Sequence, residues 1–486
     1  MTDKEFKAII DELWDKFWSS GISNPISVVE QMTYLIFFKM FESQEDLKDK
    51  KAKHFGKTRK SFFENRENLR WSNFKQLSAD EMLKTYREKI FPLLGEINPA
   101  LKDSVCLITK PSLLDTAVQT LDKMDFSDGN DRKGDIYEYM LKKISTAGDN
   151  GQFRTPRHII EMMVKLTQPT PQDKICDPAC GTGGFLCGAY RYILEQGTSD
   201  DFKEISPIFG DMLSDEDRKN IDDNVFFGNE FDPNMYKIGL MNMILHNIKP
   251  KNIKLQDSLS KDADVKDKYT LVLANPPYSG SIDKNDINPK LTAIVKANQS
   301  EVLFLAKIMR MLDIGGKAAV IIPTGILSKE NIKAYKTLRE KIIEQNRLDA
   351  VISMPSGVFK PYAGVATAVL IFTKGEPTKS TWFYEMENDG YTLDDKRNEI
   401  EENDIPDIIE KYKTKAESNK SFNVSIEDLR ENEYNLLPSR YKKIEYTPPT
   451  FEHTPLEYIQ ILLDSERKSI ELLESLKEKL GGKLNV

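Results

Sequence analysis

The stretch Leu271-Val272-Leu273-Ala274-Asn275-Pro276-Pro277-Tyr278 restricts the fold more than any other part of the chain. A short apolar run of this kind is a strand buried on both faces, as in parallel sheets covered by helices. It stops at two prolines, which lack the N–H that a central strand gives its neighbour. Asn275 therefore stands at a strand's carboxyl end, the edge along which open α/β sheets bind ligands. Its side chain and a proline-flanked carbonyl are two acceptors that can aim at one exocyclic amino group. Tyr278 can stack on the ring carrying that group. Transfer to the amino nitrogen of a flat base, or of another planar amide, suits such a corner.

Other strand ends carry polar groups too. Lys174-Ile175-Cys176-Asp177 leads into Pro178-Ala179-Cys180-Gly181-Thr182-Gly183-Gly184, followed by an apolar helix over 185–194. The glycines let backbone approach a ligand, and the helix start adds its dipole. The spacing is neither the dinucleotide fingerprint nor a phosphate loop. Asp177 is placed to bind an amino group. A polar insertion spans 197–224. Residues 225–230 form a second strand, and its last residue, Glu230, is placed for a ribose diol. Residues 253–257 form a third, ending in Asp257, and 270–275 a fourth. Together Asp177, Glu230, Asp257 and Asn275 outline one crevice. Upstream, residues 148–157 form a loop; Pro156 opens a helix with Thr155 as its N-cap. Helix starts favour carboxylates. Downstream, a helix over 299–312 ends at Gly315-Gly316, and strands follow at 317–322, 348–353 and 366–372. The loop between the last two carries Phe359 and Tyr362, which either grip a base or anchor the loop on the core.

A length of 486 residues implies two or three domains. We expect a helical domain over 1–147, an α/β domain over 148–446 and a helical tail over 447–486. The leader has an apolar helix over 26–41, helices over 113–124 and 136–144, and a turn at 127–130. A basic stretch over 48–60 is either a solvated loop or a phosphate contact. Residues 385–407 are acidic and turn-rich. In the tail, Leu456, Ile459, Leu463, Ile470, Leu473 and Leu480 form a stripe interrupted by Glu466 and Lys477. That seam fits a partner helix or a fold-back onto the chain itself. The four cysteines make neither a disulfide framework nor a zinc pattern, so no metal is expected. The chain's start does not read as a signal peptide, and no apolar run approaches the ~20 residues of a membrane span. A cytoplasmic setting is the expectation. Net charge is −8, from 69 basic and 77 acidic residues, which is awkward for a protein that handles nucleic acid alone.

Phe153-Arg154-Thr155-Pro156, then Asp177 to Phe185, then Glu230, then Asn275-Pro276-Pro277-Tyr278 stand in an order that resembles the gamma arrangement of N6-adenine DNA methyltransferases. With the helical leader, Asp135 to Tyr139 and Pro355 to Phe359, nearly the whole chain is similar to the modification subunit of type I restriction-modification systems. The resemblance implies a Rossmann-like methyltransferase domain that uses S-adenosyl-L-methionine. The methionine end of that cofactor would lie between Asp177 and the loop Gln152, Phe153, Arg154, Thr155, Pro156 and Arg157. Gly181, Thr182, Gly183 and Gly184 would approach it by backbone. Glu230 would hold the ribose, and Asp257 with Leu259 would flank the adenine ring. Asn275 and the Pro276 carbonyl would grip a flipped adenine, with Pro277 completing the turn and Tyr278 and Phe359 against the base. Arg154 stands where some relatives carry an aromatic. The family further implies double-stranded DNA, a specificity subunit carrying two copies of this chain, and a restriction subunit that can join. An acidic catalytic subunit need not read sequence, which answers the charge puzzle. Rival readings are methylation of protein glutamine, N4-cytosine transfer, and a non-catalytic assembly subunit.

Overall fold

Runs of leucine and β-branched residues have no polar face to offer water, so they lie side by side inside a sheet. The computed structural model describes residues 3–54, 58–97, 101–102, 104–124, 137, 139–141, 143, 154–203, 208–278, 280–360, 364–442 and 454–481. The strands are β1 (Ile175–Asp177), β2 (Phe226–Glu230), β3 (Asn252–Leu255), β4 (Tyr269–Ala274), β5 (Leu312–Pro323), β6 (Asn346–Met354), β7 (Thr367–Lys374), β8 (Ser380–Glu385), β9 (Asp389–Tyr391), β10 (Glu399–Asn403) and β11 (Ser421–Ser425). All but β9 and β10 join one sheet, in the order β11-β8-β6-β7-β5-β4-β1-β2-β3. From β3 through β2, β1 and β4 to β5 the pairing is parallel, so these carboxyl ends share one edge. β7 runs antiparallel to both β5 and β6. The chain leaves β1 toward β2 and later returns to β1's other side with β4, which makes the gap above β1 the switch point where such sheets bind ligands.

Both faces of the sheet are covered. In β4, Leu271 and Leu273 face the helices Arg157–Thr167 and Gly184–Gln196, while Val272 and Ala274 face Ser300–Met311 and Lys333–Gln345. This alternation accounts for the uninterrupted apolar run. Cys176, Cys180 and Cys187 are free and buried. No helix among the described residues is long and apolar enough to cross a membrane.

The leader packs Asp3–Ser19, Pro25–His54 and Pro111–Asp122 around one apolar core. Lys39 Nζ caps the last of these by donating to the Leu121 and Met124 carbonyls at 2.7 and 2.6 Å. That core is continuous with Met235, Ile238, Met241 and Leu245 of the helix Pro233–Leu245. Tyr137 adds a hydrogen bond to the Ile238 carbonyl at 3.0 Å. The chain divides into two compact units, Met1–Tyr441 and Lys442–Val486. Among its described residues the second contains one helix, Pro455–Gly481.

Several expectations are corrected. The second helix runs to His54, because Lys, Glu and Gln continue a helix as well as apolar residues do, so 48–54 is not a loop. Arg59 pairs with Glu45 and Asp49, both at 2.6 Å. Gly315-Gly316 does not cap the helix that ends at Met311; Leu312 is already extended. The register shifts from Tyr269↔Leu312 to Leu271↔Lys317, and 313–316 bulges out between them. Gly316 is required there, since a Cβ would sit 2.8 Å from the Tyr269 carbonyl oxygen. β3 ends at Leu255, two residues before Asp257. The acidic stretch 385–407 contains the hairpin β9–β10. The expected turn at 127–130, together with Asp135, Ile136, Gln152, Phe153 and Tyr362, lies outside the described residues.

Candidate active site

Adjacent parallel strands deliver their last residues to adjacent places. Along the carboxyl edge, Asn275 follows β4, Asp177 ends β1, Glu230 ends β2, and Asp257 lies just past β3. The structure thus brings the four strand-end residues into one row.

Asp177 is 2% exposed, and its Oδ1 accepts from the Ala179 N–H at 3.0 Å. Burial pushes its carboxyl up to about 8; the Ala179 N–H pulls it down and the Glu230 charge pushes it up. Such a group favours a cationic neighbour. Glu230 already accepts from the Gly181 N–H at 2.7 Å and the Asp232 N–H at 2.8 Å, so it braces the glycine turn as well as edging the crevice. Asp257 accepts from the Leu259 N–H at 2.9 Å. Leu259, expected to flank a ring together with Asp257, places its side chain in a small core with Leu303 and Phe304 and its N–H on the Asp257 carboxylate.

The turn after β1 is shaped for close approach. Gly181 has φ +50, with open space where a Cβ would project. Gly183 has φ +75 and stands as N-cap of the Gly184–Gln196 helix. Thr182's carbonyl accepts from Asn242 Nδ2 at 2.8 Å. Gly239, one turn earlier on the same helix as Asn242, comes so close that a Cβ would meet the Gly181 oxygen at 2.5 Å. Asn229 Nδ2 donates to Ser258 Oγ at 3.0 Å, which donates to the Pro178 carbonyl at 2.6 Å. These bonds tie the loops after β1 and β3 to the end of β2. Sequence reasoning passed over Gly239, Asn242 and Ser258. It also passed over Phe231, one residue beyond Glu230 and 73% exposed; a large aromatic left in water beside an acid at a strand end was the available signal.

At the other end of the row, Asn275 Nδ2 donates to Thr155 Oγ1 at 3.0 Å, and the Tyr278 hydroxyl donates to Asn275 Oδ1. Burial pushes the Tyr278 hydroxyl up, and the bond to Asn275 works against that shift. Pro276 is buried and Pro277 exposed; the Pro277 carbonyl accepts from Ser300 Oγ at 3.3 Å. Thr155 does not cap the following helix. That helix starts at Arg157 with Pro156 as its N-cap and no side-chain cap, because Thr155's hydroxyl is engaged by Asn275. Arg157 pairs with Glu161 at 3.0 Å, and Arg154 is half-buried. Phe359, expected either against the base or as a loop anchor, is 2% exposed and packs in the same apolar core that Tyr278 lies against. Its loop is anchored by that burial.

Residues 128–448 match the family described as N-6 DNA Methylase, and residues 6–144 match the HsdM N-terminal domain. The chain is 28% identical over 498 residues to the Type I restriction enzyme EcoEI methylase subunit of Escherichia coli, covering 96% of this chain and 95% of that one. It is 28% identical over 413 residues to the Type I restriction enzyme EcoKI methylase subunit of Escherichia coli strain K12, covering 79% and 72%. The fold is shared with the type I restriction-modification system methyltransferase subunit from Streptococcus thermophilus, at TM-score 0.71 and 19% identity over 91% of this chain and 100% of that one. The first match takes in well over half of the residues and every strand of the row described above, and the chain belongs to the N-6 DNA methylase family.

Proposed function

We propose that this chain is the modification subunit of a type I restriction-modification complex and methylates a flipped adenine, with S-adenosyl-L-methionine as donor. The crevice suits such a cofactor on its own terms. A buried acid favours an ammonium, an open glycine turn admits backbone contact, and Glu230 and Phe231 offer a diol acceptor and a ring surface. When bound, the cofactor supplies an electrophilic methyl group. Asp177 would hold its amino group. The 152–157 loop would meet its carboxylate, Gly181 to Gly184 its methionine end, and Asp257 with the Leu259 backbone its base.

The adenine amino group is paired inside a duplex, so the base must leave the stack, at a cost of a few kcal/mol. Asn275 Oδ1 and the Pro276 carbonyl would then accept hydrogen bonds from its two N–H groups. That turns the nitrogen lone pair toward the methyl and stabilises the charge that develops on nitrogen. One of those protons is lost to solvent once the methyl is on nitrogen and the donor has left as the thioether. Tyr278 would leave Asn275 and stack on the base, a contact worth roughly 1–3 kcal/mol. Positioning and electrostatics supply the rate. Sequence reading falls to a specificity subunit carrying two copies of this chain, with a restriction subunit able to join. A cytoplasmic setting accords with that assignment. The single observation behind the reading is Asn275's amide, set at the end of the strand beside the glycine turn.

The test is transfer of labelled methyl from S-adenosylmethionine to DNA by this chain, with and without a specificity subunit. Transfer should require both, and hydrolysed DNA should carry N6-methyladenine. Asn275→Ala should lower the rate on the order of 10²–10³-fold with cofactor affinity little changed. Equal losses in affinity and turnover would show that Asn275 is misassigned.

A further inference from the structure

Asn275 is tied at both ends of its amide, and the two partners are anchored differently. Tyr278, on the oxygen end, lies three residues away on the same proline turn. Thr155, on the nitrogen end, arrives from 120 residues earlier in the chain and is only 7% exposed. It stands just before the Arg157–Thr167 helix, where the N–H groups of Ile159 and Ile160 both donate to the Pro156 carbonyl at 3.1 Å. One residue into that helix, His158 Nε2 lies 2.8 Å from Asp389 Oδ2. Asp389 is wholly buried on β9 and also accepts from Arg397. His158's ring stacks on Tyr391, with centroids 4.6 Å apart. The backbone carrying Thr155 is therefore pinned from the far side by the hairpin β9–β10.

A carboxamide presents either its oxygen or its NH2 after a half turn about its last bond, which is broad and roughly two-fold. Only the oxygen accepts from an amino group. If Tyr278 leaves to meet the base, Thr155 is the partner that stays.

We propose that Thr155 is a positioning residue: its hydroxyl pins the NH2 end of Asn275, so that the carbonyl oxygen stays turned toward the incoming amino group after Tyr278 gives way. This rests on the reading of Asn275 above. It takes Thr155 itself out of the cofactor contact assigned above to the 152–157 loop and leaves that contact to the loop's other residues.

The experiment compares Thr155→Val, which keeps the shape and loses the hydroxyl, with Thr155→Ser, which keeps the hydroxyl. Each full chain is co-assembled with a specificity subunit. Single-turnover methylation of plasmid DNA with tritiated S-adenosylmethionine gives the rate, and calorimetry gives the dissociation constant of S-adenosylmethionine. Thr155→Val should slow methylation on the order of 10- to 100-fold, as misplaced catalytic groups do, while cofactor affinity stays within about twofold. Thr155→Ser should recover most of the rate. If Thr155→Val does not fold, Thr155→Ala takes its place. Three results overturn the proposal: an unchanged rate, a loss of cofactor affinity that matches the loss of rate, or no recovery with serine. Asn275→Ala run alongside separates the two levels. Wild-type turnover from it would remove the reading of the site itself. Lost turnover there, with Thr155→Val fully active, would remove only the role of Thr155.

Discussion

A carboxyl group buried at Asp177's depth resists ionisation at neutral pH until a cation arrives. In the free protein its pKa is pushed up to about 8 by burial, so at pH 7 it is mostly neutral. An ammonium beside it favours the ionised form and lowers that pKa. Binding should therefore release a proton at pH 7, and the release should shrink as pH rises past about 8, where the group is already ionised. The ligand's α-amino group, with an ordinary pKa of about 7.7–8.0, is mostly charged at pH 7 and contributes little. Calorimetry of S-adenosylmethionine binding in two buffers of different ionisation enthalpy measures the proton count. Asp177→Asn should abolish the release. A count of zero in the parent chain would take Asp177 out of contact with the amino group.

At the scale of elements, the glycine turn is shaped as much by the helix Pro233–Leu245 as by its own residues. Gly239→Ala makes the case testable. Alanine improves helix propensity by up to about 1 kcal/mol, but its Cβ would stand 2.5 Å from the Gly181 oxygen. The backbone clash is the larger effect, and the turn must move. The variant should stay folded, by thermal melting, and bind S-adenosylmethionine about tenfold or more weakly, on the order expected when a well-placed interaction worth ~1.4 kcal/mol is lost. Unchanged affinity would show that the turn tolerates the shift. The same helix shows where the sequence stops being legible. Strand ends could be read because an apolar run meeting Gly or Pro is a local signal, and Asn275, Asp177 and Glu230 fall where such runs stop. Thr155 before Pro156 has an equally local signal for capping, but its hydroxyl goes to a residue 120 positions away. Phe359 looked available on a loop and is buried. Gly239 and Asn242 sit in an apolar helical run, where nothing local distinguishes packing from bracing a turn. The hairpin β9–β10 was hidden because its acidic residues suggested solvent, whereas Asp389 is buried against His158 and Arg397.

At the scale of the whole molecule, the unit from Lys442 onward raises the question of a partner. Its helix Pro455–Gly481 is opened by a reciprocal cap: the Thr454 N–H donates to Glu457 at 2.7 Å, and the Glu457 N–H donates to Thr454 Oγ1 at 3.4 Å. The stripe Leu456, Ile459, Leu463, Ile470, Leu473 and Leu480 recurs at helical spacing along it. Burying one such side chain is worth about 1.5–3 kcal/mol, so a face this long is a strong driving force for association. Glu466 and Lys477 interrupt the seam, and polar residues there weaken pairing of identical helices. A specificity subunit with a complementary helix is the partner we propose. Deleting residues 452–486 should leave a folded chain that still binds S-adenosylmethionine, because the crevice is built from residues before 442. The truncated chain should fail to co-purify with the specificity subunit and should lose sequence-specific methylation. Size-exclusion with light scattering on both chains, with and without that subunit, reads the outcome. A complex that survives truncation would sink the docking role. A truncated chain that melts early or precipitates would mean that the stripe packs on its own catalytic unit, and the partner's contact would then have to be sought on that unit instead.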